Sequence, residues 1–129
     1  MFFKHYSIEN EKSIKRLYAT ADKLLLDVPC SGLGVLRRKP DAKWHLSPLF
    51  LEEIKNTQGR ILNSYSQMLR IGGIMVYSTC SILPSENELQ VEKFLDATDG
   101  RFILLQDKKV SPYVTGHDGF YMAKLQRVG

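Results

Sequence analysis

Short apolar runs alternate with amphipathic stretches along most of this sequence. Residues 23–27 and 73–78 are largely apolar, and each run is followed by turn-forming or small polar residues. Apolar runs of this length are typical of strands buried on both faces of a parallel sheet, so we predict residues 23–27 to be a central parallel strand. Residues 101–106 and 119–125 predict two more strands. We expect the last one to be antiparallel and at an edge of the sheet.

Between these runs the apolar positions recur at helical spacing. Residues 9–19 predict a first helix. A longer helix begins at Pro48, with Ser47 as its N-cap, and runs to about Arg70. We expect the glycines at 72–73 to end it. Its apolar face consists of Leu51, Ile54, Gln58, Ile61, Leu62, Tyr65, Met68 and Leu69.

A third helix is predicted after the second strand. Pro84 and the capping-box spacing of Ser85 and Glu88 mark its start, and Gly100 ends it. Helices and strands therefore alternate along the chain, which predicts an α/β fold whose parallel strands are joined by crossover helices. The apolar side of the third helix is formed by Leu89, Val91, Phe94 and Leu95.

Length, charge and cysteine content narrow the classes of protein to consider. The chain has 129 residues, 43% hydrophobic and 25% charged, which suits one domain over residues 1–129, with 1–21 as an N-terminal segment. No apolar stretch is long enough to cross a membrane, and the first residues lack the apolar centre of a signal peptide. We therefore expect a cytoplasmic protein.

The two cysteines form no C-x-x-C and the histidine spacings match no zinc pattern, so we predict no metal site. The net charge of +4 favours an anionic partner.

The two cysteines occupy matching positions. Cys30 follows the strand at 23–27, and Cys80 follows the strand at 73–78. Because the carboxyl ends of neighbouring parallel strands open into one crevice, we predict that both thiols face the same substrate. One thiol could attack while the other handles a proton. The sequence leaves two alternatives open, which are buried cysteines that act as small hydrophobic residues and a disulfide between Cys30 and Cys80. A reducing compartment disfavours the disulfide.

Residues 35–46 form the densest basic stretch and show no sustained period, so we expect a loop there. Arg37, Arg38 and Lys43 could meet RNA phosphates, and Trp44 could stack on a base. A solvated basic loop has the same composition. From the residues alone, both interpretations stand.

Several segments carry motifs that point to one family. They are DVPCSGLG at 27–34, the arginines at 37–38, Pro-Asp at 40–41, YSTCS at 77–81, PSENE at 84–88 and DGFY at 118–121. Together they resemble the NOL1/NOP2/Sun (RsmB-like) family of RNA 5-methylcytosine methyltransferases, over about residues 22–125. The resemblance implies the C-terminal half of a Rossmann-like S-adenosylmethionine-dependent methyltransferase fold, with a mostly parallel sheet and an antiparallel last strand.

The resemblance also implies roles for individual residues. Carbon 5 of cytosine is a poor nucleophile, so a nucleophile must first add to carbon 6, and the resemblance assigns this attack to the Cys80 thiolate. Cys30 then helps to remove the carbon 5 proton and to release the product. Asp27 is implied to hydrogen-bond the cytosine edge and, with Pro29, to border S-adenosylmethionine. From its position alone, Asp27 could instead cap the turn after the strand. The implied partner is RNA, which we expect to be ribosomal, contacted by Arg37, Arg38, Lys43 and Trp44.

One feature of that family does not occur in this sequence. Such enzymes hold S-adenosylmethionine through a glycine-rich loop after the first strand and an acidic residue after the second. The glycines at 72–73 precede a predicted strand, and the segment before Asp22 is too short for three strands and their helices. We therefore expect a fragment whose partner is a missing N-terminal half of the catalytic domain. Two other hypotheses are a catalytically inactive RNA-binding remnant and an unrelated small α/β protein with buried cysteines.

Overall fold

The computed structural model describes residues 11–35, 47–111 and 118–129, and over these ranges helices and strands alternate as predicted. The side chains of Glu11 and Val35 are not described. The elements are α1 (Glu11–Arg16), β1 (Ala21–Asp27), α2 (Pro48–Tyr65), β2 (Leu69–Thr79), α3 (Glu88–Ala97), β3 (Phe102–Val110) and β4 (Phe120–Arg127).

The four strands form one sheet in the order β1-β2-β4-β3. β1 pairs with β2 in parallel, whereas β4 is antiparallel to both β2 and β3. β1, β2 and β3 therefore run in one direction and β4 in the other, which confirms the α/β fold with an antiparallel last strand. The predicted edge position of β4 is wrong. β4 lies between β2 and β3 because its alternate residues Ala123 and Leu125 are fully buried, while the more polar β3 takes the edge.

The register of β1 and β2 brings their carboxyl ends together. Lys23 pairs with Ile74, and the pairing continues without a shift to Asp27, which pairs with Ser78. The prediction that the two strand-then-cysteine segments are neighbours at the same end of the sheet is therefore confirmed. This register brings together the loops that follow the two strands.

One face of the sheet carries the core. Met75, Tyr77 and Leu125 point toward the face that Leu62 of α2 and Phe94 of α3 cover. Within the described residues the opposite face is largely open. Two predictions for the first strand are wrong for this structure. β1 lies at an edge of the sheet and not at its centre, and one of its faces is exposed. The apolar residues of the open face include Leu25, which is 68% exposed, Ile103 and Met122.

The second helix begins as predicted and ends earlier. The Ser47 hydroxyl accepts a hydrogen bond from the Phe50 N–H, and α2 ends at Tyr65 rather than near Arg70. A 3-10 turn at Ser66–Met68 then leads into β2 at Leu69, which pairs with Ala21. Leu69 is apolar and fully buried, a property that suits a helix face and a strand equally, so the helical period misassigns it. The glycines at 72–73 lie inside β2, where the register shifts and Gly72 has φ +87°.

The start of the third helix also differs from the prediction. A 3-10 turn at Pro84–Glu86 precedes α3, which begins at Glu88 after Asn87. The expected Ser85–Glu88 capping box is absent, because Ser85 lies in the 3-10 turn and Asn87 is the N-cap residue, so Glu88 is the first residue of the helix. The Glu88 carboxylate instead accepts a hydrogen bond from Lys109 at 3.0 Å. No helix among the residues described is both long and apolar enough to span a membrane.

Candidate active site

The two cysteines meet at the carboxyl ends of β1 and β2. The Cys80 backbone N–H donates a hydrogen bond to the Cys30 sulfur, with 3.3 Å between nitrogen and sulfur. Both cysteines are free thiols in the structure, Cys80 exposed and Cys30 half-buried. The prediction that the two thiols are neighbours is therefore confirmed, with one accessible thiol and one more enclosed thiol beside it.

The surroundings of Cys30 favour its protonated form. Burial raises the pKa of the Cys30 thiol, and the nearby Cys80 and Glu86 charges raise it further. Backbone N–H groups of Gly32 and Cys80 act in the opposite direction but do not offset the burial. A thiol in this setting holds its proton at neutral pH and is a poor nucleophile in the resting state.

Asp27 and Pro29 lie close to Cys30 in the sequence, at the carboxyl end of β1. The Ser78 hydroxyl donates a hydrogen bond to the exposed Asp27 carboxylate at 3.3 Å, across the pair of strands. Pro29 is exposed, and its backbone carbonyl accepts a hydrogen bond from the Gln58 side chain at 2.9 Å. Both residues are therefore open to a ligand at the end of β1.

Side-chain hydrogen bonds fix the backbone on both sides of Cys80. The Thr79 hydroxyl donates to the Asn87 side-chain oxygen at 2.5 Å and accepts from the Ser81 N–H at 3.1 Å. The Asn87 amide nitrogen in turn donates to the Ser81 carbonyl at 2.9 Å. Asn87 therefore closes the turn that presents the Cys80 thiol to solvent.

Gly34 links three loops at close range. Its N–H donates to the Cys80 carbonyl at 2.8 Å, and its own carbonyl accepts from the Gly119 N–H at 2.6 Å. A Cβ at this position would lie 2.1 Å from the Gly119 oxygen and 2.6 Å from the Cys80 oxygen. Only glycine permits this approach, so the DGFY segment is tied to the Cys80 loop through the glycine of the first motif.

Sequence reasoning missed the buried residues beneath the thiols. Glu86, Ser31 and Ser81 are buried and joined by hydrogen bonds, and Gln58 of α2 reaches the same cluster. Two signals were available in the sequence. Gln58 occupies a position on the apolar face of its helix, and Glu86 lies in the quoted PSENE segment.

The predicted RNA-binding residues Arg37, Arg38, Lys43 and Trp44 all lie outside the described residues. Within 11–35, 47–111 and 118–129, no group of three or more His, Cys, Asp or Glu side chains could hold a metal ion. Of the predicted site residues, the structure brings together Cys30, Cys80, Asp27 and Pro29 at the ends of β1 and β2.

Comparison with known proteins gives a consistent result. The family model for the 16S rRNA methyltransferase RsmB/F matches residues 5–126. Ribosomal RNA small subunit methyltransferase B of Pectobacterium carotovorum is 46% identical over 81% of this chain, and the Vibrio cholerae protein of that name is 40% identical over 82%. The chain spans only 26% of the length of each of these relatives. Among solved structures, NSun6 from Pyrococcus horikoshii with SFG is 27% identical, with a TM-score of 0.79 over 94% of this chain and 34% of that one.

Proposed function

Because the chain belongs to the RsmB/F family of 16S rRNA methyltransferases, we propose that it forms the thiol-bearing part of an enzyme that methylates carbon 5 of a cytosine in ribosomal RNA. The observation that carries this proposal is the position of the two free thiols at the ends of two parallel strands. Cys80 is exposed, and its backbone N–H donates a hydrogen bond to the Cys30 sulfur. Such a reaction belongs in the cytoplasm, where ribosomal RNA and reduced thiols occur together.

The different environments of the two thiols favour different tasks. Cys80 is exposed, so its sulfur can reach carbon 6 of a bound cytosine and form a covalent bond there. That bond raises the electron density at carbon 5, which then accepts the methyl group. Burial raises the pKa of the Cys30 thiol, so we assign the attack to the exposed Cys80. We assign Cys30 to the later steps. Once Cys30 has lost its own proton to water, its thiolate accepts the carbon 5 proton. The electron pair of that C–H bond then forms the carbon 5–carbon 6 double bond, and the sulfur–carbon 6 bond breaks to release the Cys80 thiolate.

S-adenosylmethionine supplies the methyl group as a sulfonium when it is bound. Asp27 and Pro29 are exposed at the end of β1 and fit one wall of a site for it, with the Asp27 carboxylate free to accept further hydrogen bonds. The loop after β1 contains Gly32 and Gly34, but Gly34 packs closely against the backbone of Cys80 and Gly119, so this fit is partial. SFG, which the NSun6 structure holds, is an analogue of S-adenosylmethionine and supports this choice of methyl donor.

The open face of the sheet suggests where the remainder of the cofactor site attaches. Leu25, Ile103 and Met122 are exposed there, and burying apolar side chains of this size is favourable. We propose that the part of the enzyme that holds S-adenosylmethionine covers this face. The chain alone would then lack most of the contacts that the cofactor needs.

A cofactor titration tests this assignment. We expect isothermal calorimetry to show no appreciable binding of S-adenosylmethionine by the chain alone. A chimera, in which the chain replaces the matching segment of the Pectobacterium carotovorum relative, should bind it and transfer labelled methyl groups to 16S rRNA. Micromolar binding of S-adenosylmethionine by the chain alone would contradict the proposal that most of the cofactor site lies in another part of the enzyme. A chimera that binds cofactor and RNA without methyl transfer would favour an inactive RNA-binding remnant.

RNA binding by the chain should depend on salt. The basic stretch at 35–46 supplies the phosphate contacts in this proposal, and binding to phosphates releases counterions, so the affinity should fall as salt rises. We expect the triple substitution Arg37→Gln, Arg38→Gln and Lys43→Gln to weaken binding, as measured by fluorescence anisotropy with labelled 16S rRNA fragments. Replacing the exposed residues Lys93, Lys108 and Lys124 with Gln removes three charges elsewhere and is the matched control. Coincident curves for the triple variant and the unmodified chain at low salt would refute the role of this stretch.

A further inference from the structure

Glu86 lies fully buried between the loops that carry the two thiols. One carboxylate oxygen accepts hydrogen bonds from the Ser31 N–H at 2.7 Å and from the Gln58 amide at 3.2 Å. The other oxygen accepts from the Ser31 hydroxyl at 2.7 Å and from the Ser81 hydroxyl. Four donors therefore converge on one carboxylate, two of them from Ser31 alone.

Hydrogen bonds, rather than a cation, stabilise this carboxylate. Among the described residues, no lysine or arginine forms an ion pair with Glu86. Its backbone is held as well, because the Tyr77 hydroxyl donates to the Glu86 carbonyl at 2.6 Å. Burial and the Glu86 charge raise the pKa of Tyr77, so this hydroxyl stays a donor. Burying a carboxylate has a high free-energy cost unless its oxygens accept hydrogen bonds. The four donors must therefore stay close to Glu86 in the folded protein.

Gln58 extends this cluster into the helices. Its side-chain nitrogen donates to both Pro29 and Glu86, and its side-chain oxygen accepts from Gln90 of α3 at 3.2 Å. Gln90 also donates to the Lys55 carbonyl of α2 at 2.7 Å. The carboxylate is thus braced against both helices that cover the sheet.

The donors of Glu86 are next to the reactive residues in sequence. Ser31 follows Cys30, and Ser81 follows Cys80. We propose that Glu86 is a positioning residue, whose buried carboxylate fastens the Cys30 and Cys80 loops to each other through Ser31 and Ser81. It touches no substrate, since its side chain has no exposed surface. That the enzyme uses this placement in catalysis rests on the proposed function, whereas the placement itself does not.

Glu86 also acts on the chemistry of one thiol. Its charge contributes, after burial and Cys80, to the raised pKa of Cys30. The same carboxylate therefore sets the relative placement of the two loops and favours a protonated Cys30. Loss of this charge in Glu86→Gln should therefore lower the pKa of Cys30.

Bridging of the two thiols measures their placement without RNA or cofactor. In dibromobimane, each bromomethyl group loses bromide to one thiolate, and fluorescence rises strongly once both have reacted. Glu86→Gln keeps the size of the side chain but removes its charge. It also places an amide N–H₂ beside hydroxyls that donate to the carboxylate in the unmodified chain. At a pH high enough to ionise both thiols in both proteins, we expect the bridging rate to fall by about tenfold or more, since misplacement on the order of 1 Å can cost up to about 10²-fold in reactions limited by geometry.

Glu88→Gln is the matched control, because it removes a neighbouring carboxylate that pairs with Lys109 on β3, away from both thiol loops. It should bridge at the rate of the unmodified chain, and circular dichroism and urea unfolding report whether each variant is folded. Ser81→Ala removes one hydrogen bond from the cluster and should slow bridging by a smaller factor. If Glu86→Gln does not fold, Ser81→Ala carries the test.

The pH dependence of alkylation separates positioning from simple stabilisation. Iodoacetamide reacts with the thiolate, and the midpoint for Cys30, read by peptide mass spectrometry, should move to lower pH in Glu86→Gln and stay unchanged in Glu88→Gln. Unchanged bridging and an unchanged Cys30 midpoint in folded Glu86→Gln, or unchanged bridging in Ser81→Ala, would overturn the proposal. Because neither measurement involves methyl transfer, an inactive chimera would refute the proposed function and leave this inference standing.

Discussion

Methyl transfer by the chimera should be lost when Cys80 is replaced by alanine, whereas Cys30→Ala should leave the protein covalently joined to RNA. Without the Cys80 sulfur, carbon 6 gains no nucleophile, so we expect the rate to fall by a factor on the order of 10³ or more. Without Cys30, attack and methylation still occur, but release of Cys80 from carbon 6 slows. The two defects therefore differ in kind.

A denaturing gel with labelled 16S rRNA distinguishes these outcomes. The Cys30→Ala chimera should give a slowly migrating protein–RNA band, and the double variant Cys30→Ala with Cys80→Ala should give none. The double variant is the control for adducts that form through other residues. An adduct with Cys80→Ala but not with Cys30→Ala would reverse the assigned roles.

Gly34→Ala should strongly destabilise the chain and disturb the site. The added Cβ would lie 2.1 Å and 2.6 Å from the backbone oxygens of Gly119 and Cys80, so the loops must separate. Overpacking of this kind costs about 1–3 kcal/mol, and here the hydrogen bonds from Gly34 to Cys80 and from Gly119 to Gly34 are strained as well. Urea unfolding measures the loss of stability, and the bridging rate of the thiols should fall with it.

Gly59→Ala is the control for the loss of a glycine as such. Gly59 lies inside α2, where a Cβ would meet its nearest described neighbour, the Gln90 side-chain oxygen, at an ordinary 3.7 Å. Alanine is the better helix former, so this variant should be more stable by up to about 1 kcal/mol. A Gly34→Ala variant as stable as the unmodified chain would refute the close approach at Gly34.

The sequence was sufficient to predict the arrangement of the thiols. Each cysteine follows an apolar strand, and parallel neighbours end at the same side of a sheet, so the meeting of Cys30 and Cys80 follows from local pattern and one topological rule. Ser47 and Pro48 likewise mark the start of α2 correctly, since capping is a local interaction.

Other features depend on contacts between distant segments. The Ser31 hydroxyl meets Glu86 only after β1 and β2 pair, because the two residues are 55 apart in sequence, whereas the Ser81 hydroxyl reaches Glu86 within the loop that follows β2. The apparent capping box at Ser85 fails because α3 starts later, after Asn87, and the Asn87 side chain is held by the Thr79 hydroxyl at the end of β2. The apolar run of β1 indicates hydrophobicity on both faces, but it does not indicate which face another element covers, and Leu25 is exposed.

Peptide mapping of the trapped adduct tests the central claim most directly. The Cys30→Ala chimera is incubated with 16S rRNA and S-adenosylmethionine, digested with nuclease and protease, and analysed by mass spectrometry. We predict a methylated cytidine nucleotide attached to the peptide that contains Cys80, because its sulfur forms the bond to carbon 6 and Cys30 is needed to break it. A nucleotide on any other residue, or no nucleotide on any peptide while methylation proceeds, would contradict the mechanism.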